Sequence, residues 1–501
     1  MGNKIKRDIW KMCFTKYTSI YLCAILFFLP LIITNGYYNI TESKYYYFMA
    51  VSILTFLAFA FFKILKREFD IERISIIETD IPFVLFFVAF VISAMFSCYK
   101  QDAIFGSASR YQGVITIFVY LLIYFLVSRN FKFGQNVLLS AMLGLTLVSI
   151  FGVLNCFDID LLGFYGNLSQ DNKSNYISTI GNINFYSSYI CLLLPLVVCG
   201  FCLTKTKLST VIYTLVLITG TMGAMVTSSE SFVVGFATAM LIIPLFLFSD
   251  ILRIKKFFTA VLIMVFTAEL YMVIYQFMPI KNVRISKLLS LLFNPIVAVI
   301  VAIICFVFLY VLEKHPENLK KLKITYCLCL AFAMLILVIL FLIANTNSLG
   351  ILDEYFKITD KWGTYRGGIW RQCIDIYKGL SVREKLFGIG PESLYRYTVS
   401  LDVHNGRILD QAHNEYLQYL LTIGVVGLLT YLSIIGAVIF IVVKKLKNNA
   451  LAIGLFSGLV AFWIQATVNI AQPFTTPIMY IFISCIAGMY YKEKEQSPKG
   501  V

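Results

Sequence analysis

Two side chains in the second half of the chain are of types that could serve a reaction at a membrane surface, one as a cation and one as a base. Arg366 heads the stretch Arg366-Gly367-Gly368-Ile369-Trp370. Arg366, Trp370, Cys373 and Tyr377 follow the spacing i, i+4, i+7, i+11, which predicts one face of a helix. A guanidinium offers a planar fork of donors that matches phosphate oxygens two at a time. Its competing use is an ion pair with Asp360, Asp375 or a lipid phosphate. Arg371, five residues on, falls roughly 140° further round a regular helix and faces elsewhere. His413 follows Asp410, a good N-cap. That cap predicts a histidine in a first helical turn, where the positive end of the dipole lowers its pKa. A neutral imidazole there can accept a proton or a hydrogen bond; the alternative is a purely structural hydrogen bond.

Other chemistry-bearing residues lack company. Asp158-Ile159-Asp160 is a short acidic pair of the kind that can hold a divalent cation. No further ligand accompanies it, so no metal is expected. His404 lies in an unpatterned stretch and reads as surface. Glu269 is the one acid placed mid-span; such residues default to a functional hypothesis, with an internally hydrogen-bonded structural role as the alternative. The twelve cysteines fall mostly in apolar runs, the one CxxC spacing, Cys199-Gly200-Phe201-Cys202, included, and no ligand cluster accompanies them, which argues against a metal site.

These residues need a scaffold, and the composition says which kind. Only 14% of the 501 residues are charged and 59% are hydrophobic, whereas a soluble domain carries about 25% charge. A mean hydropathy of +0.82 points the same way. A soluble enzyme, a disordered chain and a nucleic-acid-binding domain are excluded. The expected fold is an all-α integral membrane protein with about 12–14 transmembrane helices and one long outer loop containing short helices. Apolar runs lie near 18–36, 46–63, 82–98, 113–128, 136–156, 186–203, 208–228, 231–249, 257–278, 288–312, 325–345, 416–443, 450–470 and 476–490. The closely spaced pair around Ser228–Glu230 also fits a re-entrant hairpin.

With a cytoplasmic N-terminus, 26 of the 42 Lys and Arg fall in cytoplasmic segments and 16 outside, nine of them in one long loop. Lys63 closes the second run at its cytoplasmic end, and no other falls inside one. The short outer loops are thus poor in basic residues, as the positive-inside rule requires. The net charge of +15 reads as topology and contact with anionic lipid, with no nucleic-acid partner. Both termini are expected in the cytoplasm, and the first apolar run is expected to be retained as a span because no small-residue cleavage site follows it. The organisation is spans 1–11 over residues 1–345, an outer loop over 346–411 and spans 12–14 with a tail over 412–501. Function concentrates in loops held on a rigid scaffold. Two further polar outer segments, 99–112 and 157–184, would join the long loop in one vestibule.

The motifs in this order resemble the O-antigen ligase/O-antigen polymerase superfamily of bacterial membrane glycan transferases. They are Arg366-x-x-x-Trp370, Phe387-Gly388-x-Gly390-Pro391, Ala412-His413-Asn414-Glu415-x-Leu417-Gln418 and Gly424-Val425-Val426-Gly427-Leu428. Ser109-Arg110-Tyr111-Gln112-Gly113, Gly181-Asn182-Ile183-Asn184-Phe185 and the pattern near Gln465, Asn469 and Pro477 are similar too. The resemblance covers roughly residues 100–490. It implies an inverting, metal-independent transfer without a cofactor in the bacterial plasma membrane. The donor would be a glycan on a polyprenyl diphosphate, and the acceptor a glycan or lipid hydroxyl on the outer side. Polymerisation or ligation of an O-antigen- or capsule-like surface polysaccharide follows; a lipid-linked glycan flippase or a protein O-oligosaccharyltransferase is the alternative. Arg366 and His413 become the expected catalytic pair, with Arg110, Trp370, Asn414 and Glu415 binding substrate. One departure stands out: the family's Ser-Arg-Gly-Ala is here Ser229-Glu230-Ser231-Phe232. Arg110 is the candidate substitute for the missing arginine, and the loss favours a polymerase or a general surface-polysaccharide ligase.

Overall fold

The computed structural model describes residues 2–65, 75–131, 134–166, 168–292, 294–401 and 408–496. Across these residues the only sheet is a short antiparallel pair, Tyr176–Ile177 with Gly181–Asn182. Nine helices among the described residues are long and apolar enough to cross a membrane. The shorter apolar helices Met12–Phe28, Asp80–Phe96, Val114–Asn130 and Ala450–Gln465, and the final helix Thr475–Gln496, take up the remaining apolar runs. The fold is that of an all-α, multi-pass membrane protein. In lipid only segments that satisfy every backbone group internally are stable, which is why each apolar run becomes helix.

The bundle is built around Ile183–Cys202, of whose apolar window 94% is buried. Ala450–Gln465 packs closely on it, because a Cβ at Gly458 would lie 2.2 Å from the Leu192 carbonyl oxygen. Close backbone approach through small residues is how helices gain van der Waals contact in a solvent as apolar as themselves. Pro295–Lys314 and Pro316–Thr346 have the highest hydropathies, 3.1 and 3.2, and the lowest burial, 17% and 6%. They form the periphery.

The pair around Ser228 is two separate helices, as its two apolar runs predict, Lys207–Val226 and Glu230–Leu247, each of spanning length; a left-handed Ser228 (φ 44°) turns the chain between them. Two details depart from the sequence reading, and each shapes the site. The run 416–443 is broken into Glu415–Thr422 and Gly424–Phe440. The break follows from competition for backbone carbonyls: Ile389 N–H donates to Leu421 O (3.0 Å) and Gly390 N–H to Thr422 O (2.9 Å). Only glycine tolerates this crossing. A Cβ at Gly424 (φ 72°) would lie 2.3 Å from Leu386 O, and one at Gly388 2.2 Å from Thr422 O.

The second departure is a basic residue inside a span. Helix Ile40–Leu65 starts earlier than its apolar run and takes in Lys44, which is fully buried. Its Nζ donates to the carbonyls of Leu29 (3.1 Å), Pro30 (2.7 Å) and Ile32 (3.0 Å). These follow the π-helical turn Ala24–Phe28, where helix-end carbonyls need donors. The lysine thereby fastens the end of the first span to the start of the second, and so fixes the connecting segment 37–42.

Candidate functional site

Helix Trp362–Gly379 is two pieces, because Gly363, Thr364 and Tyr365 are left-handed (φ 57°, 62° and 69°). The regular helix begins at Arg366. The face expected from spacing packs inward: Cys373 is fully buried, Tyr377 packs beside it, and Trp370 lies 5.3 Å from Trp362, ring to ring. Arg366 ends that face. Its Nη1 donates to Gly363 O (2.8 Å), while its buried Nε has no hydrogen-bond partner. Burial lowers its pKa from the ordinary arginine value. A buried guanidinium with donors to spare is a preorganised anion site. Arg371 points away and pairs with the exposed Asp360.

His413 is not in a first helical turn. The N-cap of Glu415–Thr422 is Asn414, whose side chain accepts from Leu417 N–H (3.0 Å), and His413 precedes it in a left-handed conformation (φ 48°). Asp410 is no cap. Its Oδ2 takes Arg110 Nη2 at 3.0 Å, and its Oδ1 lies 3.8 Å from His413 Nε2. Both residues are strong caps by type; Asp410 is taken by an arginine from another segment, and Asn414 starts the helix. The histidine is still held below its ordinary pKa. Burial is the largest cause, and the Arg366 and Arg110 charges add to it, while Asp410 pulls the other way.

Arg110, Arg366 and His413 line one cavity of about 480 Å³. They come from three separate segments: a turn before helix Val114–Asn130, the start of the helix after the left-handed turn, and the loop before Glu415–Thr422. The polar segments 99–112, 157–184 and 346–411 all contribute, at Arg110, at Asn182 and at Arg366. Two contributors had not been anticipated as lining: residues 37–42 at the start of the second span, among them Tyr37 and Glu42, and Asn469 with Ile470. The Glu42 side chain makes no hydrogen bond or ion pair among the described residues. In sequence it looks like an ordinary first-turn acid, so nothing in local pattern marked it.

Trp370, Asn414 and Glu415 are not among the residues that line this cavity. Trp370 packs, and its Nε1 is buried without a partner. Asn414 caps. Glu415 is buried and accepts from Tyr431 OH (2.9 Å), while its backbone N–H donates to Ala466 O (2.9 Å). A further residue unmarked by type is Glu392, whose Oε2 accepts from Ser107 Oγ (2.7 Å) and Gln411 Nε2 (3.0 Å). Ser107 leads into Arg110, and Gln411 into His413. Glu392 therefore joins the two strands of loop that carry them. Burial raises its pKa from the ordinary glutamate value, against the lowering by its two hydrogen bonds and by Arg110. Its carboxyl also borders, with Glu415 and Gln418, an enclosed space of about 20 Å³ that shares Ile470 with the larger cavity.

The remaining candidates lie elsewhere. Glu230 starts a span and is not among the cavity's lining residues. Asp158 accepts from Asn282 and Lys173 (2.9 and 2.7 Å), which hold its pKa low. Asp160 accepts from the Phe164 and Tyr165 N–H groups (2.9 and 2.6 Å). The two carboxylates thus serve separate local structures. Among the described residues no three His, Cys, Asp or Glu gather as a metal site. Glu269 is half-buried in Ile251–Phe277, with one carboxylate oxygen unpartnered. The twelve cysteines are free thiols. His404 lies outside the described residues.

Residues 288–432 match the family model described as O-antigen ligase. The matched segment contains Arg366, Trp370, Glu392, Asp410, His413 and Glu415, and it supports the superfamily resemblance drawn from the motifs. No curated protein matches the chain.

Proposed function

We propose that this protein is a membrane glycan transferase of surface-polysaccharide assembly, in the manner of the O-antigen ligase family. It moves a glycan from a polyprenyl-diphosphate carrier to an acceptor hydroxyl on the outer side of the bacterial plasma membrane. One observation carries this reading: two arginines and a histidine of lowered pKa, from three distant segments, face a single cavity. The apolar tail of such a donor stays between helices, while its diphosphate reaches the polar cavity at their ends. No nucleotide is needed, since the donor arrives already activated.

In the reaction the acceptor oxygen attacks the anomeric carbon, and the bond from that carbon to the diphosphate oxygen breaks. The electron pair leaves with the diphosphate. Arg366, assisted by Arg110, stabilises the charge that grows there; fixed cations of this kind stabilise the transition state more than the ground state. His413 receives the acceptor proton, a role suited to an imidazole kept neutral by burial and two cations. Attack opposite the leaving group inverts the anomeric centre. The proposed steps use no metal, and Arg110 takes the place of the family arginine that is Glu230 here. Both termini are placed in the cytoplasm and segment 346–411 outside, on the distribution of Lys and Arg.

The test is transfer by purified protein from a polyprenyl-diphosphate glycan, without nucleotide or added metal. The expected products are a lengthened acceptor and free polyprenyl diphosphate in equal amounts. Export of intact lipid-linked glycan across a vesicle membrane, with no transfer, would overturn the reading in favour of a transporter.

A further inference from the structure

The cavity has a wall that the diphosphate chemistry leaves unused. Segment 37–42 and the hairpin around Gly181 form it. Their contact is direct: the Tyr37 and Tyr176 rings lie 5.4 Å apart, and a Cβ at Gly181 would lie 3.2 Å from the Ile40 side chain. Lys44 fixes the start of this wall, as described above. Glu42 faces the cavity from it, its side chain without a partner among the described residues. It lies near enough to Tyr111, beside Arg110, that its charge, after burial, helps to raise the tyrosine's pKa. Asn184 also lines the cavity; its backbone N–H is taken by the Asn182 cap and its carbonyl by the Ser187 and Ser188 hydroxyls and the Asn469 amide, while its side-chain amide makes no hydrogen bond among the described residues.

This is the equipment of a sugar site. A carboxylate accepts two hydroxyl hydrogens at once, a carboxamide both donates and accepts, and a tyrosine ring offers an apolar face to sugar C–H groups. Pockets that fix a polar ligand do so with a few unpaired groups of this sort. The carboxylate also selects: an acidic sugar placed against it meets a like charge in a partly desolvated space, and repulsion of that kind is how sites reject wrong partners.

We propose that Glu42 and Asn184, with the tyrosine wall of segment 37–42, form the acceptor-sugar subsite of the cavity, and that Glu42 makes it prefer a neutral or amino sugar over a uronic acid. The proposal rests on the transferase reading and adds to it the chemical class of the acceptor's terminal residue. The arginines hold the leaving diphosphate, Glu42 holds acceptor hydroxyls in the same cavity, and the acceptor oxygen meets His413 there. Glu42→Gln keeps the shape of the side chain and removes its charge; Glu42→Lys reverses the charge.

The experiment pairs binding with turnover on full-length protein in detergent or nanodiscs. Binding of three matched oligosaccharides, ending in a neutral hexose, an amino sugar and a uronic acid, is read by saturation-transfer NMR. Transfer to the same acceptors is read with a polyprenyl-diphosphate glycan donor. Wild type should bind and use the neutral and amino acceptors in preference to the uronic one. Glu42→Gln should raise the acceptor KM about tenfold, the scale of one charge-assisted hydrogen bond, with the donor KM unchanged and the preference against uronic acid lost. Glu42→Lys should invert that preference. If wild type shows a Glu42-dependent preference in binding but no transfer, the subsite stands and the transferase reading falls. If transfer proceeds and neither variant alters acceptor KM or preference, or if wild type binds none of the three sugars, the subsite is overturned.

Discussion

Asp410 touches both groups assigned to opposite ends of the reaction, and removing its charge makes their separate roles measurable. Its Oδ1 lies 3.8 Å from His413 Nε2, and its Oδ2 holds Arg110. At such a separation two unit charges attract by about 1 kcal/mol in water and about 4 kcal/mol at the effective dielectric of a protein surface. The Asp410 side chain is 57% exposed, so the water-like end of that range applies. About 1 kcal/mol is about 0.7 of a pKa unit. Asp410→Asn removes a charge that favours the imidazolium, so the His413 pKa, already lowered by burial, Arg366 and Arg110, falls further. A base works when unprotonated, so turnover climbs as pH rises through its pKa. The acid limb of kcat/KM should therefore move to lower pH, by about 0.5–1 unit. The asparagine oxygen can still accept from Arg110, which limits the change at the diphosphate. The assay is the pH profile of glycan transfer for wild type, Asp410→Asn and His413→Ala. A limb that stays in place, moves upward, or survives in His413→Ala would refute the assignment of the proton acceptor.

Arg366→Ala and His413→Ala should each lower turnover by roughly a hundredfold or more, the scale of one preorganised charge or one acid–base group, measured by transfer at matched protein abundance. Arg366→Lys should rescue poorly, because ammonium lacks the bidentate fork, and Arg371→Ala should be mild because that side chain pairs with exposed Asp360 outside the cavity. Glu392→Ala strips the partner from Ser107 and Gln411, and should lower kcat about tenfold or more while leaving a folded protein, since each orphaned polar group costs about 1–3 kcal/mol. Glu392→Gln keeps an oxygen that accepts from both and should recover most of the activity; equal loss in the two variants would give the carboxylate itself a role. Addition of a chelator should leave transfer unchanged, and a loss reversed by magnesium or manganese would overturn the metal-free mechanism.

How much of this was legible beforehand depends on the range of the interaction that decides each feature. The spans were legible because burial in lipid acts on composition alone, so a run of apolar residues is sufficient evidence. Arg366, Arg110 and His413 were legible as types, since only a few side chains bind phosphate or take a proton near neutral pH. What failed were choices settled by a distant segment. Asp410 and Asn414 are equally good caps by local rule, and the tie is broken by Arg110, which takes Asp410 out of the competition. The break at Gly424 is made by the backbone of residues 386–390, which takes the Leu421 and Thr422 carbonyls; the apolar run there gives no sign of it. Glu42 reads as a helix-start acid until segment 37–42 is folded over the hairpin at Gly181. The same long-range pairings that hid these residues also explain the separation of charge in the site. Arg110 is partly neutralised by Asp410 at rest, whereas Arg366 has a backbone carbonyl and no carboxylate. The uncompensated arginine is therefore the one with most to gain from an arriving diphosphate.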